Sequence, residues 1–135
     1  MINFKHPRFR TGSKFHLQTC EIKSDKAKCH ILTTSEDQDK ELTISLNNTR
    51  IFDSNGHEYR ARTVELGSNS ETATANYVKS VSNLLVAGIP MRTVIHFENL
   101  KQPVNLLTLL ELSCTHDNKA FRVQIRNISI PEPHP

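Results

Sequence analysis

Two cysteines bracketing eight residues, Cys20 and Cys29 in TCEIKSDKAKCH, are the first groups along this chain suited to covalent chemistry. Such a pair serves as a disulfide, as metal ligands or as a redox dithiol. Zinc pairs sit at C-x2–4-C and redox pairs at C-x-x-C, and the chain has neither spacing. His30 follows Cys29 directly, but adjacent strand residues point to opposite faces and do not grip one ion together. No metal site and no cofactor is expected. A disulfide fits better. If Ser24 and Asp25 form a two-residue hairpin loop, Lys23 pairs with Lys26, Ile22 with Ala27, and Cys20 faces Cys29. Facing strand residues hold Cβ atoms about 4.5–5.5 Å apart, close to the roughly 3.5–4.5 Å of a disulfide. This register leaves Phe15 and Leu17 on the opposite parity from Cys20, so a bulge near Thr19 is expected to restore the buried face. Cys114, at the end of an apolar run, is expected to be a buried, unlinked thiol.

Catalytic chemistry finds no anchor. The chain has 7 histidines and 14 acidic residues, but no G-x-S-x-G, H-E-x-x-H or phosphate-binding loop. It is not expected to be an enzyme. FDSNGHEY gathers Asp53, Asn55 and Glu58, yet lacks the ligand spacing of a twelve-residue calcium loop. Asp53, Asn55 and Gly56 read instead as a hairpin turn, with Gly56 supplying a positive φ. Gly88 and Pro90 read as a second structural turn, since Pro90 has no amide to donate and the next strand begins after it. Arg60 and Arg62 on one strand, with Arg122 and Arg126 on another, recur at alternate positions and form a candidate anion-binding face. Outward arginines are usually just solvated. A net charge of +3 and a pI near 8.9, with 2 Tyr, 6 Phe and no Trp, give little basis for nucleic-acid binding.

The elements that must position these groups are strands. KFHLQTC, KCHILT, ELTISLNN, EYRARTVEL, RTVIHFENL, NLLTLLELSC and KAFRVQIRNISI alternate apolar and polar residues or run apolar throughout. EYRARTVEL reads as one strand, with Tyr59, Ala61 and Thr63 on one face and Arg60, Arg62 and Val64 on the other. Phe121, Val123, Ile125 and Asn127 fall on one face of the last strand. Between strands lie turn residues: Asp53 to Gly56, Gly67 to Asn69, Gly88 to Pro90, and His116 to Asn118. SNSETATANYVKSVSNLL is rich in β-branched residues and is read as a loop with a short edge strand rather than a helix. The fold class expected is all-β, an immunoglobulin-like antiparallel β-sandwich of seven to eight strands. The 135 residues divide into a basic arm or linker over 1–13, the sandwich over 14–130 and a Pro-rich tail over 131–135. Apolar runs are too short for a membrane-spanning helix, so no membrane insertion is expected.

In order along the chain, FHLQTCEIKSDKAKCHILTTSEDQDKEL, TRIFDSNGHEYRARTVELG, LLVAGIPMRTVIHFENL, LLTLLELSC and FRVQIRNISI resemble bacterial immunoglobulin-like domains of unknown function. Those domains occur on exported or lipid-anchored proteins and are distantly similar to secreted mycobacterial sandwich-fold antigens. The resemblance spans about residues 14 to 130 and rests on the D-x-x-G-x-x-Y turn of Asp53, Gly56 and Tyr59, on G-I-P before Phe97-Glu98-Asn99, and on the closing F-x-V-x-I-R-N-I. It implies a sandwich and an extracytoplasmic parent protein, and supplies no catalytic residues. The basic N-terminus lacks the apolar core of a signal peptide, which keeps the cytoplasm as the alternative. Two functions follow as expectations. One is a non-enzymatic accessory module presenting loops or a sheet edge to a protein or glycan. The other is small-ligand or polyanion binding through the arginine-bearing face.

Overall fold

The computed structural model describes residues 12–101 and 104–131. Most of the expected arm and tail lie outside these residues. Ten strands follow one another: β1 (Ser13–Lys23), β2 (Lys26–Ser35), β3 (Lys40–Asp53), β4 (Glu58–Arg60), β5 (Thr63–Leu66), β6 (Asn69–Thr72), β7 (Ser80–Leu85), β8 (Met91–Phe97), β9 (Leu106–His116) and β10 (Lys119–Ser129). They form two antiparallel sheets packed face to face. One has the order β1-β2-β8-β5-β6. The other has the order β10-β9-β3-β4, with β7 also on β3. Between the sheets lie Phe15, Ile31, Ile44, Ile51, Leu66, Ile95, Phe97, Leu110 and Leu112, all fully buried.

The hairpin of β1 and β2 has the register expected from its cysteines: Lys23 opposite Lys26, Ile22 opposite Ala27 and Cys20 opposite Cys29. Cys20 and Cys29 are joined by a disulfide. Ser24 takes a φ of 59°, the left-handed first loop position of a type II′ turn, whose twist matches the flanking strands. The register slips between Leu17 and Thr19, so Gln18 bulges. Phe15 on one side of the bulge and Cys20 on the other therefore both face the core.

Strand β3 changes parity too. Ser45 pairs with Ser113, but Arg50 pairs with Glu111. Five steps on β3 thus match two on β9. Leu42, Ile44 and Leu46 face inward before the irregularity, and Thr49, Ile51 and Asp53 after it. The Thr49 hydroxyl fastens the kink, donating to the Ser45 carbonyl at 2.6 Å and accepting the Ser113 N–H at 3.2 Å.

Several readings of the sequence need correction. Ten strands replace seven to eight, partly because Tyr59–Leu66 is not one strand. Glu58–Arg60 pairs with β3 in one sheet, while Thr63–Leu66 pairs with β8 in the other. The chain crosses at Ala61 and Arg62, so Val64 rather than Thr63 is buried. The second source of extra strands is residues 69–85, which supply both β6 and β7. Lastly, Asn127 does not join the inward face of β10. It is exposed with a φ of 56°, and Ile128 takes the buried place. β1 also begins at Ser13, one residue inside the expected arm.

The disulfide closes a short loop, so its removal should cost only about 2–3 kcal/mol by chain entropy. A C20S/C29S variant should show that loss in urea denaturation while keeping its β-type circular dichroism. Cys114 is 1% exposed, and burial pushes its thiol up to about 12. Mass spectrometry after alkylation should therefore find Cys114 unmodified in the native protein and reactive only after unfolding.

Candidate functional site

Across the outer face of the β10-β9-β3-β4 sheet, pairing aligns Gln124, Glu111, Arg50 and Arg60 in one row. Glu111 occupies its middle and is only 3% exposed. Its Oε1 accepts from Arg50 Nε and from Arg122, each at 3.0 Å, and its Oε2 accepts from Gln124 Nε2 at 2.7 Å. A buried carboxylate needs such donors, because desolvation penalises its charge. The Gln124 hydrogen bond and then those of Arg50, with the charges of Arg50 and Arg122, hold the Glu111 carboxyl below the ordinary range despite its burial. Arg50 also reaches Glu58 at 2.6 Å and lies 5.1 Å over the Phe52 ring.

The four candidate arginines do not share one environment. Arg122 is engaged with Glu111. Arg126 donates to Gln124, and Arg60 to the Asn47 carbonyl. Arg62 belongs to the crossing between sheets, where it donates to the Ala73 carbonyl and lies 3.9 Å from Glu98. Arg50 and Glu111, the centre of the actual cluster, were missed by sequence reasoning. A lone Glu inside the apolar run NLLTLLELSC was the available signal.

The Asp53 turn is tied internally. Asp53 is 2% exposed. Its Oδ1 accepts the N–H groups of Asn55 and His57, at 2.9 and 3.0 Å, and its Oδ2 meets the His57 ring and the Tyr59 hydroxyl at 3.0 and 3.1 Å. Burial pushes this carboxyl up, but the donors outweigh it and hold it low. Gly56 has a φ of 85° with open space around it. At the other turn Gly88 has a φ of 78° and β8 starts one residue after Pro90. Both carboxylate oxygens of Asp53 are occupied by the protein's own donors, and no group of three or more metal-ligating side chains gathers among the described residues.

A serine and a histidine do meet. Ser13 Oγ lies 2.6 Å from His116 Nε2, and His116 Nδ1 lies 3.1 Å from the Glu41 carbonyl. A carbonyl only accepts, so Nδ1 carries a proton, and in the neutral ring Ser13 donates to Nε2. That is a hydrogen-bond chain between a serine and a backbone carbonyl. Ser13 is 0% and His116 2% exposed, and His116 stacks on Phe121 at 5.2 Å. The dyad ties β1 to β9 in the interior, out of reach of a substrate.

Strand β7 presents the remaining feature. It pairs with β3 through Ser80–Leu85, and on its far side Asn69 and Asn83 link it to the β5–β6 hairpin. Tyr77, Val78, Leu84, Val86 and Ile89, along and beside it, are all exposed. The turn after β7 is held by the Ala87 N–H on Asp39 and the Gly88 N–H on the Ser35 carbonyl. Backbone bonds thus fix Val86 and Ile89 outside the core. No protein-family model and no curated protein matches this chain.

Because its folded pKa is depressed, Glu111 contributes stability above its unfolded value, about 4.3, and that contribution is lost as pH falls through the folded value. Denaturation curves should show Glu111→Gln less stable than wild type at pH 7. The gap should narrow as the pH falls below the unfolded value and on through the depressed folded one, where the wild-type carboxylate takes up its proton.

Proposed function

We propose that this chain is a non-enzymatic interaction module, an immunoglobulin-like sandwich of an exported bacterial protein that engages a protein partner through the surface around β7. One observation carries the reading. Among the described residues, every large apolar side chain that stands exposed lies between Tyr77 and Ile89, with Tyr77 at 70%, Val78 at 79%, Leu84 at 49%, Val86 at 44% and Ile89 at 60%. Scattered singly, such residues need no explanation. Concentrated along one strand and its two flanking turns, they mark a surface that water covers at a cost. The strip is aliphatic apart from Tyr77, which suits the buried centre of a protein interface better than a glycan, whose rings favour aromatic platforms.

The Cys20–Cys29 disulfide supports an oxidising, extracytoplasmic compartment, where such bonds persist. Anion binding by the arginine face has less support. Glu111 already engages two of that face's cations, and Arg62 stands on the other side of the chain crossing.

A photoreactive phenylalanine analogue placed at Val78 or Ile89, in cells that make the native protein, should form a discrete adduct with one partner. The same group at Gln124 should not. Equal adducts at all three positions, or none at Val78 and Ile89, would count against the β7 surface.

A further inference from the structure

The outer face of the β1-β2-β8-β5-β6 sheet carries a cavity of about 380 Å³, whose polar lining includes Glu21, Lys23, Lys26, Lys28, His96 and Glu98 beside the apolar Ala27 and Phe97. Strand register explains why these residues meet. Glu21 pairs with Lys28, Lys28 with His96, and His96 with Thr63, so one row crosses four strands. Their sequence neighbours Ala27, Cys29, Ile95 and Phe97 face the core, which sends this row outward. Lys23 and Lys26 close the hairpin end, directly opposite each other.

That placement is unfavourable for an unliganded protein. Like charges facing across a strand pair destabilise it. Neither acid of the lining makes an ion pair with them, because each already meets another side chain. Glu21 meets His30 at 2.8 Å, and Glu98 lies 3.9 Å from Arg62. Lys14, Lys40 and Lys79 elsewhere all form ion pairs. Lys23, Lys26 and Lys28 form none with the described residues. A further lysine stands close by: the Leu100 N–H bonds the Asp25 carbonyl, which brings Lys101 beside the same turn. The disulfide beneath holds the hairpin in register, so the ammonium groups project from a fixed base.

We propose that this cavity binds a phosphate or sulfate ester on a body of roughly sugar size. Ammonium groups are compact point charges with three rotatable donors and suit tetrahedral oxyanions, whereas a planar carboxylate calls for an arginine fork. The volume of 380 Å³ equals about a dozen liquid-water volumes of roughly 30 Å³. That exceeds the needs of a bare oxyanion and falls at the lower end of small-molecule sites. The ester group would sit among Lys23, Lys26 and Lys28, and the hydroxyls of the body would reach Glu21, Glu98, Thr63 or His96.

The test is a titration of ¹⁵N-labelled protein with glucose 6-phosphate, glucose 6-sulfate and glucose, followed by amide chemical shifts at low salt. Either ester should shift residues 21–28 and 96–98 with saturation, and glucose should not. If one ester alone saturates, the anion is named and the site stands. A K26Q/K28Q variant, altered only at exposed positions, should bind at least tenfold more weakly, and Lys119→Gln should bind as wild type. Shifts that never saturate, that appear equally around Lys119, that glucose reproduces, or that survive undiminished in K26Q/K28Q would each overturn the proposal.

Discussion

Strand β3 is the constraint on which the second sheet depends. Its 14 residues pair with β9 along one edge, while its other edge is divided between β7 and β4. An edge can be shared in this way only if the strand turns partway, and the kink at Leu46–Thr49 supplies the turn. The Leu46 N–H and the Asn47 side chain take hold of Lys79 just before β7. The Thr49 carbonyl accepts the Ala61 N–H just after β4. Without the kink, β3 would present Ile51 to water and Arg50 to the core. The Glu111 cluster exists because Arg50 emerges from the kink on the outer face.

The two sheets treat charge in opposite ways. On the β3 sheet Arg50 and Arg122 converge on one buried carboxylate, while Arg60 and Arg126 donate to neutral oxygens. On the β1-β2-β8 sheet the carboxylates are drawn aside to His30, His96 and Arg62, and Lys23, Lys26 and Lys28 form no ion pair with the described residues, although the charge of Lys28 still acts on Glu65. Lysines without salt bridges thus gather where the sequence showed only scattered lysines around a hairpin. Net charge is a poor guide here, because pairing decides which cations remain available.

Local geometry was legible in the sequence to the extent that short-range rules govern it. The register of the first hairpin followed from two cysteines and a loop length, and the expected bulge near Thr19 falls one residue away, at Gln18. The apolar NLLTLLELSC run did become a strand paired on both sides. What stayed hidden was decided at long range. Alternation through EYRARTVEL shifts parity at Arg62 and Thr63, from Tyr59 and Ala61 to Val64 and Leu66, but that local shift does not say that the two halves join different sheets. Asn127 follows the alternation by spacing but departs from it by backbone, since Asn tolerates a left-handed φ that its β-branched neighbours avoid. Arg50 sits beside a kink whose cause, the Thr49 hydroxyl bond, leaves no periodic trace.

The Ser13–His116 hydrogen bond joins groups 103 residues apart, and it has a consequence for how the chain assembles. The β1–β2 hairpin closes over a few residues and can form within about 1–10 μs. Seating β1 against β9 and β10 must wait until nearly the whole polypeptide has been gathered, because closing a long loop costs entropy before any contact rewards it. His116 stacks on Phe121, and Phe121 in turn lies 6.1 Å from Phe15, so this seam is finished late. Until then both 11-residue outer strands, β1 and β10, expose apolar faces beside the unpaired edge that each keeps. The interval of greatest exposure to intermolecular strand pairing thus falls at the end of folding, when the C-terminal strands have only just arrived.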